Sequence, residues 1–309
     1  MQRIPISRRA MLLRIASSAV PPSAALAAPA RLRLGFSLYA LPKLPLSESI
    51  DLCRDIGYSG VELCLQPGWP AEPKLLEASS RRRLRDQFRR RRIELVSMMD
   101  QLSLVAAPDD HAANLRRIEE AARLFRDLSP RTAPLLETVL GGKPDQWEQL
   151  RETMVERLED WARAAARLRI VIAIKAHVAG AVNQPSRLLW LLQRVNSRWI
   201  RAAYDYSHFQ LIGLDLTRTI ADLAASTVFV HVKDADGDAT KFRFLLPGDG
   251  RTDYHEYFRL LAANNYRGWI VPEVSAQLQR APGYDGVDAA RRCYRHLAPI
   301  LTEILERNR

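Results

Sequence analysis

The sequence predicts a single (β/α)₈ barrel, an α/β fold, from three observations. Its 309 residues are 47% hydrophobic and 26% charged, which suits one soluble domain of barrel size. Eight strand patterns alternate with helical patterns along the chain. Three consecutive strand patterns end in ionisable clusters, at Asp205 and His208, at His231 and Lys233, and at Glu273. In this fold, catalytic residues lie at the C-terminal ends of several strands, so the pattern indicates an enzyme.

The elements follow from hydrophobic periodicity and from turn residues. The predicted strands are Leu32–Leu38, Gly60–Leu65, Ile93–Met98, Ala133–Val139, Ile170–His177, Ile200–Asp205, Thr227–Val232 and Trp269–Val274. The predicted helices are Leu46–Ile56, Asn114–Leu128, Gln146–Leu168, Ser186–Val195, Leu216–Ala225, Tyr254–Asn264 and Val287–Arg307, with another over the basic run that follows the second strand. Gly57 after the first helix is a typical C-cap. The glycines at 248 and 250 are predicted to form a turn at the barrel top rather than a nucleotide-binding loop.

Residues 1–30 are predicted to be a signal peptide, followed by the barrel domain at 31–309. Arg8-Arg9, a short apolar stretch and the Ala-x-Ala sites near residue 30 are typical of a twin-arginine export signal. The alternative is a cytosolic protein with a basic arm. Because residues 1–30 carry four arginines and no acid, the net charge of +11 falls to +7 without them. We therefore expect a periplasmic or secreted protein, and no other window is apolar enough to span a membrane.

Two further features have simple structural interpretations. Cys53, Cys64 and Cys293 are too few and too far apart for a disulfide framework or a zinc ribbon, so buried free thiols are expected, although one bridge stays open. Eight arginines lie within Arg81–Arg92, where Leu84 and Phe88 form an apolar stripe. The run is interpreted as a solvated helix face. A polyanion-binding patch is the alternative, but aromatic residues suited to base stacking are missing, so no nucleic-acid partner is predicted.

Several motifs resemble, in their order and spacing, those of the xylose-isomerase-like barrels, which include sugar isomerases and epimerases. The matching segments are GYSGVELCL at 57–65, ETVLGG at 137–142, IAIKAHVAG at 172–180, YDYSHF at 204–209, FVHVKDADG at 229–237, LLPGDGRTDY at 245–254 and NYRGWIVPEVS at 265–275. The resemblance covers roughly residues 32–300. It implies a small carbohydrate as substrate and a divalent metal ion as cofactor.

The resemblance also implies which residues hold that ion. Asp205, His231 and Glu273 match three of the family's ligands, and Glu137 or His208 is predicted to complete the shell. Mixed oxygen and nitrogen ligands do not select among Mn²⁺, Mg²⁺, Co²⁺ and Zn²⁺. The fourth family ligand, a glutamate ending the fifth strand, is replaced here by Lys175.

Lys175, Glu273 and His208 are the predicted catalytic residues. A cation beside Lys175 would lower the pKa of the amine and make it a base. Without a cation, the lysine can stabilise an oxyanion or form a Schiff base. A structural salt bridge to Glu137, Asp205 or Glu273 is the further alternative. Strand alternation predicts that Lys175 points into the barrel.

Glu62, His177, Lys233 and Arg243 are predicted to contact the substrate. The alternatives are a hydrogen bond at the rim for Glu62, a supporting contact for His177, and an ion pair between Lys233 and Asp234. Arg243 is assigned because related barrels place a basic residue near this point.

The predicted function is a sugar isomerase or epimerase that removes the proton beside a carbonyl of a keto sugar. A lyase or hydratase on 3-keto sugars begins with the same step and stays open, as does a sugar-binding barrel without activity. A nuclease is disfavoured because Phe242-Arg243-Phe244 stands where the apurinic endonucleases have metal ligands. The oligomeric state is left open, with a homo-oligomer as one alternative.

Overall fold

The structure, a computed structural model, describes residues 32–307. The predicted signal peptide at 1–30 lies outside these residues, and export stays a prediction. Within the described range, eight parallel strands close into a barrel, so the predicted fold class is confirmed. Each strand pairs with its sequence neighbours, and the last barrel strand closes against the first, with Arg33 opposite Trp269. None of the described helices combines the length and apolarity needed to cross a membrane.

The barrel strands are β1 (Arg33–Ser37), β2 (Gly60–Cys64), β3 (Glu94–Met99), β4 (Leu135–Val139), β5 (Val171–Lys175), β6 (Ile200–Tyr204), β7 (Thr227–Val232) and β10 (Trp269–Pro272). The helices are α1 (Leu46–Ile56), α2 (Ala78–Arg91), α3 (Pro108–Leu128), α4 (Trp147–Leu168), α5 (Pro185–Val195), α6 (Tyr206–Gln210), α7 (Leu216–Leu223), α8 (Tyr254–Ala263), α9 (Ala276–Gln279) and α10 (Gly286–Arg307). Strands β8 (Asp234–Gly237) and β9 (Phe242–Leu245) form an antiparallel hairpin outside the barrel. The sequence interpretation missed this hairpin and the short helices α6 and α9.

The barrel interior is divided into an apolar floor and a charged upper layer. Alternate residues of each strand point inward. The inward residues of the floor form one buried cluster of Val96, Leu135, Val171, Ala173, Ala203, Phe229 and Val271. One inward position further along, the strands carry Glu137, Lys175, His231 and Glu273, all buried. The apolar floor therefore isolates the charged layer from solvent on one side of the barrel.

The outer surface agrees with the simple interpretations of the basic run and the cysteines. Leu84 and Phe88 of α2 are buried, as their spacing predicted. Arg81 and Arg91 form ion pairs with acids of neighbouring helices, Asp127 at 2.8 Å and Asp51 at 2.9 Å. These contacts support the interpretation of the run as a solvated helix face. Cys53, Cys64 and Cys293 are all free and buried, as predicted.

One buried carboxylate organises the loop that comes after the hairpin. Asp234 Oδ2 accepts the N–H groups of Gly248 and Gly250 at 2.8 and 3.0 Å, and Oδ1 accepts the N–H of Thr252 at 3.2 Å. A Cβ at Gly250 would lie only 2.7 Å from Asp234 Cβ, so this close approach requires glycine. The turn is therefore held at the barrel top by Asp234, and an ion pair between Asp234 and Lys233 was the wrong alternative.

Replacing Asp234 with alanine is expected to destabilise the protein by about 2–3 kcal/mol, because three N–H groups lose a charged acceptor. Urea unfolding measures this, and limited proteolysis should show faster cleavage within residues 246–252. Asp236→Ala is the matched control, since the ion pair of Asp236 is with the exposed Arg243. Equal losses of stability in the two variants would contradict the role assigned to Asp234.

Candidate active site

Lys175 lies at the centre of the charged layer. Its Nζ is 2.9 Å from His231 Nδ1, 2.9 Å from Glu273 Oε2 and 3.1 Å from Glu137 Oε1. The lysine is only 2% exposed, and its neighbour Ala176 packs into the core between strands and helices. The prediction that Lys175 points into the barrel mouth, within reach of the His231 and Glu273 side chains, is confirmed.

The environment of Lys175 favours its charged form. Burial alone would lower the pKa of this ammonium, but Glu137, Glu273 and Asp205 raise it above its ordinary value. The neutral-amine base considered from the sequence required a neighbouring cation to dominate, whereas the three carboxylates outweigh the other neighbours of Lys175. Lys175 is therefore a fixed positive charge in this structure.

A second ammonium, Lys233, lies beside the first. Lys233 Nζ donates to Asp205 Oδ2 and, at 2.7 Å, to Glu273 Oε2. Glu273 Oε2 thus accepts from both lysines. Burial alone would raise the pKa of Glu273, but Lys175 and Lys233 hold it well below its ordinary value. Glu273 is consequently a charged group that fixes two ammoniums in place.

A chain of hydrogen bonds supports His231 from below. Its Nε2 lies 2.8 Å from Glu62 Oε2, and Glu62 Oε1 accepts the Ser97 hydroxyl at 2.8 Å. Burial alone would lower the pKa of His231, but the Glu62 carboxylate raises it. When the Lys175 ammonium donates to Nδ1, the ring proton must lie on Nε2, facing Glu62. Glu62 is fully buried and does not line the cavity, so the predicted substrate contact of Glu62 was wrong.

Two imidazoles line the other side of the site as hydrogen-bond donors. His208 Nδ1 accepts the Val178 N–H at 3.3 Å, and His177 Nδ1 accepts the Ala179 N–H at 3.2 Å. Each ring in its neutral form therefore carries its proton on Nε2. Burial, with His177 and Lys233 nearby, holds the pKa of His208 well below its ordinary value. His208 Nε2 forms no well-oriented hydrogen bond with a described residue, and its nearest acceptor, Asp205 Oδ2, lies 3.5 Å away.

A cavity of about 270 Å³ opens above these groups. It is lined by Tyr39, Met99, Asp100, Gln101, Glu137, Val139, Lys175, His177, His208, Lys233, Phe242, Phe244, Glu273, Ser275, Ala276 and Gln277. The structure thus brings together all three predicted catalytic residues and two of the predicted substrate contacts, His177 and Lys233. Asp205 and His231 are buried but do not line the cavity.

The hairpin residues and the strand-three end correct the sequence interpretation. Arg243 is 73% exposed and pairs with Asp236 at 2.8 Å, so its predicted substrate contact was wrong. Its neighbours Phe242 and Phe244 line the cavity instead. Asp100 and Gln101, which come directly after β3, were missed although the same rule of strand ends applied to them.

The predicted metal ligands lie close enough together to share one ion. Atoms of Asp205, His231 and Glu273 lie within 4.8 Å of one another, and Glu62, Glu137 and His231 form a second such group. Two carboxylates and an imidazole are donors that suit a divalent ion. However, the two lysine ammoniums already contact every member of the first group. The three ligand residues alone would therefore suit a divalent ion, but the ammoniums of Lys175 and Lys233 already supply positive charge beside them.

Comparison with known proteins identifies the family. The family described as xylose isomerase-like TIM barrel matches residues 50–300, so the chain belongs to it. An inosose dehydratase of Clostridium tetani is 23% identical over 173 residues, which are 51% of this chain and 58% of that relative. The chain thus spans little more than half the length of this curated relative.

Solved structures share the same fold. The IolI protein with a bound zinc atom has a TM-score of 0.74 at 16% identity, covering 88% of this chain and 99% of that one. The 3-keto-D-glucoside 4-epimerase from E. coli has a TM-score of 0.68 at 16% identity, covering 87% of this chain and 100% of that one. These similarities agree with the barrel described above.

The imidazole of His177 is expected to stay neutral until well below neutral pH. Burial, reinforced by Lys233 and Lys175, lowers its pKa from 6.5 to about 4. As the pH falls, the unfolded chain therefore takes up a proton before the folded protein does. The stability that His177 contributes above pH 6.5 should be lost progressively as the pH falls from 6.5 to 4.

Urea unfolding of the wild type and His177→Asn at several pH values measures this loss. We expect the variant to lose less stability than the wild type on acidification. A wild-type slope retained in His177→Asn would show that other groups cause it.

Proposed function

We propose that the protein is a carbohydrate-modifying enzyme that removes the proton next to the carbonyl of a keto sugar or a cyclic keto polyol. Isomerisation or epimerisation is the principal reaction proposed. The observation that carries the proposal is the buried layer of carboxylates, ammoniums and imidazole donors at the floor of a small cavity. The inosose dehydratase and the keto-glucoside epimerase among the similar proteins support the same substrate class.

The cavity offers the polar groups that a keto sugar needs. Lys175 and Lys233 can each donate to a carbonyl or enediolate oxygen, because positive groups fixed where negative charge develops stabilise the transition state. His177 and His208 present N–H donors to hydroxyl groups. Phe242 and Phe244 supply an apolar wall. A cavity of about 270 Å³ suits one small carbohydrate rather than a long chain.

Glu137 is the best placed carboxylate to act as the base. It lines the cavity, and neither of its oxygens accepts a well-oriented hydrogen bond from a described residue. Glu273, by contrast, is engaged by Lys175 and Lys233. In the proposed step, Glu137 takes the proton from carbon, the C–H electron pair forms a C=C bond, and the carbonyl π pair moves to oxygen. Protonation of the same carbon from its other face by a second donor, as the carbonyl re-forms, completes epimerisation. Protonation of the former carbonyl carbon, with loss of the proton from the neighbouring hydroxyl as it becomes the new carbonyl, completes isomerisation.

Loss of water is the second candidate reaction, favoured by the name of the Clostridium tetani relative. From the same enediolate, the oxygen pair re-forms the carbonyl, the C=C pair moves to form a double bond between the α and β carbons, and the β-hydroxyl leaves with the electron pair of its C–O bond. The leaving hydroxyl takes a proton from a neighbouring donor, and His208, which lines the cavity and forms no well-oriented hydrogen bond through Nε2, is the candidate for this role. The two reactions therefore share the site that removes the proton and differ only in the later fate of the enediolate.

A divalent ion at Asp205, His231 and Glu273 is the metal-dependent version of this function, favoured by the 4.8 Å cluster. Mn²⁺, Mg²⁺, Co²⁺ and Zn²⁺ are the candidates, with Glu137 or His208 as a further ligand. When bound, such an ion would polarise the carbonyl. We also propose that the protein is exported, because its N-terminus resembles a twin-arginine signal. Its substrate would then be a sugar met outside the cytoplasm.

Incubation with a panel of keto sugars and inososes in D₂O tests the proposed function. Deuterium should enter the carbon beside the carbonyl, as seen by NMR and mass spectrometry, and the products should separate epimerisation from water loss. Glu137→Gln should lower the exchange rate by about 10²–10⁴-fold, the usual contribution of a positioned base. Binding without deuterium exchange across the panel would favour a sugar-binding barrel instead.

Glu303→Gln is the matched control for charge removal, because Glu303 lies on the outer helix α10 and pairs with the exposed His255 and Arg307. Its exchange rate should equal that of the wild type. Unchanged exchange in Glu137→Gln, with loss in Glu273→Gln, would reassign the base to Glu273.

A further inference from the structure

We propose that the Lys175 ammonium permanently replaces the divalent ion, so that the enzyme polarises its substrate with lysine and needs no metal. Such a lysine would serve either reaction proposed above, and its catalytic part rests on that proposed function. Lys175 stands at the end of β5, where the resemblance implies a metal-binding glutamate.

The Lys175 ammonium already contacts residues that would hold the ion. Lys175 Nζ lies at 2.9 Å from both His231 Nδ1 and Glu273 Oε2, which belong to two of the three predicted ligand residues. An acceptor lone pair that receives an N–H is not available to a metal. The lysine thus removes one carboxylate ligand from the site and also engages two of the ligands that remain.

The remaining predicted ligand, Asp205, is engaged by the other lysine, Lys233. Asp205 Oδ2 accepts from Lys233 Nζ, and Asp205 Oδ1 accepts the Ser207 hydroxyl at 2.7 Å. The lysines also line the cavity, whereas Asp205 and His231 do not. A ligand entering the cavity therefore meets ammonium groups and not an open coordination position.

An ion at this place would also be repelled by both lysines. Like charges a few ångströms apart inside a protein repel strongly, and a divalent ion doubles the repulsion for each lysine. An ion among Asp205, His231 and Glu273 would lie near both ammoniums. It would have to displace them, and displacement is costly because both lysines are buried among carboxylates.

The chemistry that remains is electrophilic assistance by an ammonium. The substrate oxygen that gains the electron pair would accept a hydrogen bond from Lys175 or Lys233, without any change in oxidation state. This assignment places the carbonyl oxygen of the substrate next to Nζ of these lysines and the adjacent C–H next to Glu137.

Metal binding measured on wild type and on a reversed variant tests the proposal. After dialysis against a chelator, wild-type protein should bind neither Mn²⁺ nor Zn²⁺ in calorimetric titration, and neither ion should raise its Tm. Lys175→Glu, which removes the ammonium and adds a carboxylate, should gain a stoichiometric ion and a Tm increase in its presence. Lys175→Gln is the control that removes the charge without adding a ligand and should bind far more weakly than Lys175→Glu.

Stoichiometric ion binding by wild type, lost in Asp205→Ala, would overturn the proposal. The wild-type titration decides even if Lys175→Glu fails to fold. These readouts do not depend on turnover, so the two proposals fail separately. Deuterium exchange that appears only after metal is added would refute the lysine assignment and leave the proposed function intact. If the wild type binds no ion and shows no exchange on any keto sugar, with or without added metal, the proposed function fails and the absence of a metal site stands.

Discussion

The mutual neutralisation of buried lysines and carboxylates is the interaction on which the rest of the site depends. Lys175 and Lys233 are nearly inaccessible to water, and each lies between carboxylates that are equally buried. Removing one member of a buried pair typically costs about 3–5 kcal/mol, because the partner is left charged without compensation. Loss of any one of these charged groups is therefore expected to destabilise the whole cluster. The two lysines that line the cavity are thus held in place by the carboxylates that balance their charge.

The barrel makes this arrangement possible by separating polar and apolar layers. Small and branched residues such as Ala173 and Val271 fill the floor, while the next inward position on the same strands carries Lys175 and Glu273. Because strand residues alternate, a single strand serves both the core and the site. The hydrogen bonds of Glu62 and Ser97 beneath His231 then satisfy groups that the apolar floor cannot. The apolar floor of the barrel thus provides the core, and the charged layer above it provides the candidate site.

The sequence was sufficient to predict what strand alternation controls, and insufficient where separate elements meet. The parity of β5 placed Lys175 inward and Ala176 outward. Glu62 was misassigned because its contact with His231 crosses the barrel, where local pattern carries no information, and a register shift lies beside it. The hairpin error was avoidable, since Phe242-Arg243-Phe244 alternates with period two and predicts that Arg243 faces away from its neighbours. Strand alternation also argues against an ion pair between Lys233 and Asp234, because Lys233 faces inward like His231 and Asp234 faces the other way.

Exchanging an ion for an ammonium changes what the same barrel can do. A metal ion can bind two substrate oxygens at once and recruit further ligands, whereas an ammonium donates at most three hydrogen bonds. Lys175 hydrogen-bonds to His231 and Glu273, and Glu137 is its third close neighbour, an ion pair at 3.1 Å. A substrate oxygen that accepts from Lys175 must therefore take the place of one of these three neighbours. Glu137, held only by its charge and not by a well-oriented hydrogen bond, is the acceptor that gives way most easily. Its release from Lys175 as the substrate oxygen arrives would free the carboxylate beside the C–H bond, which couples recognition of the carbonyl to exposure of the base.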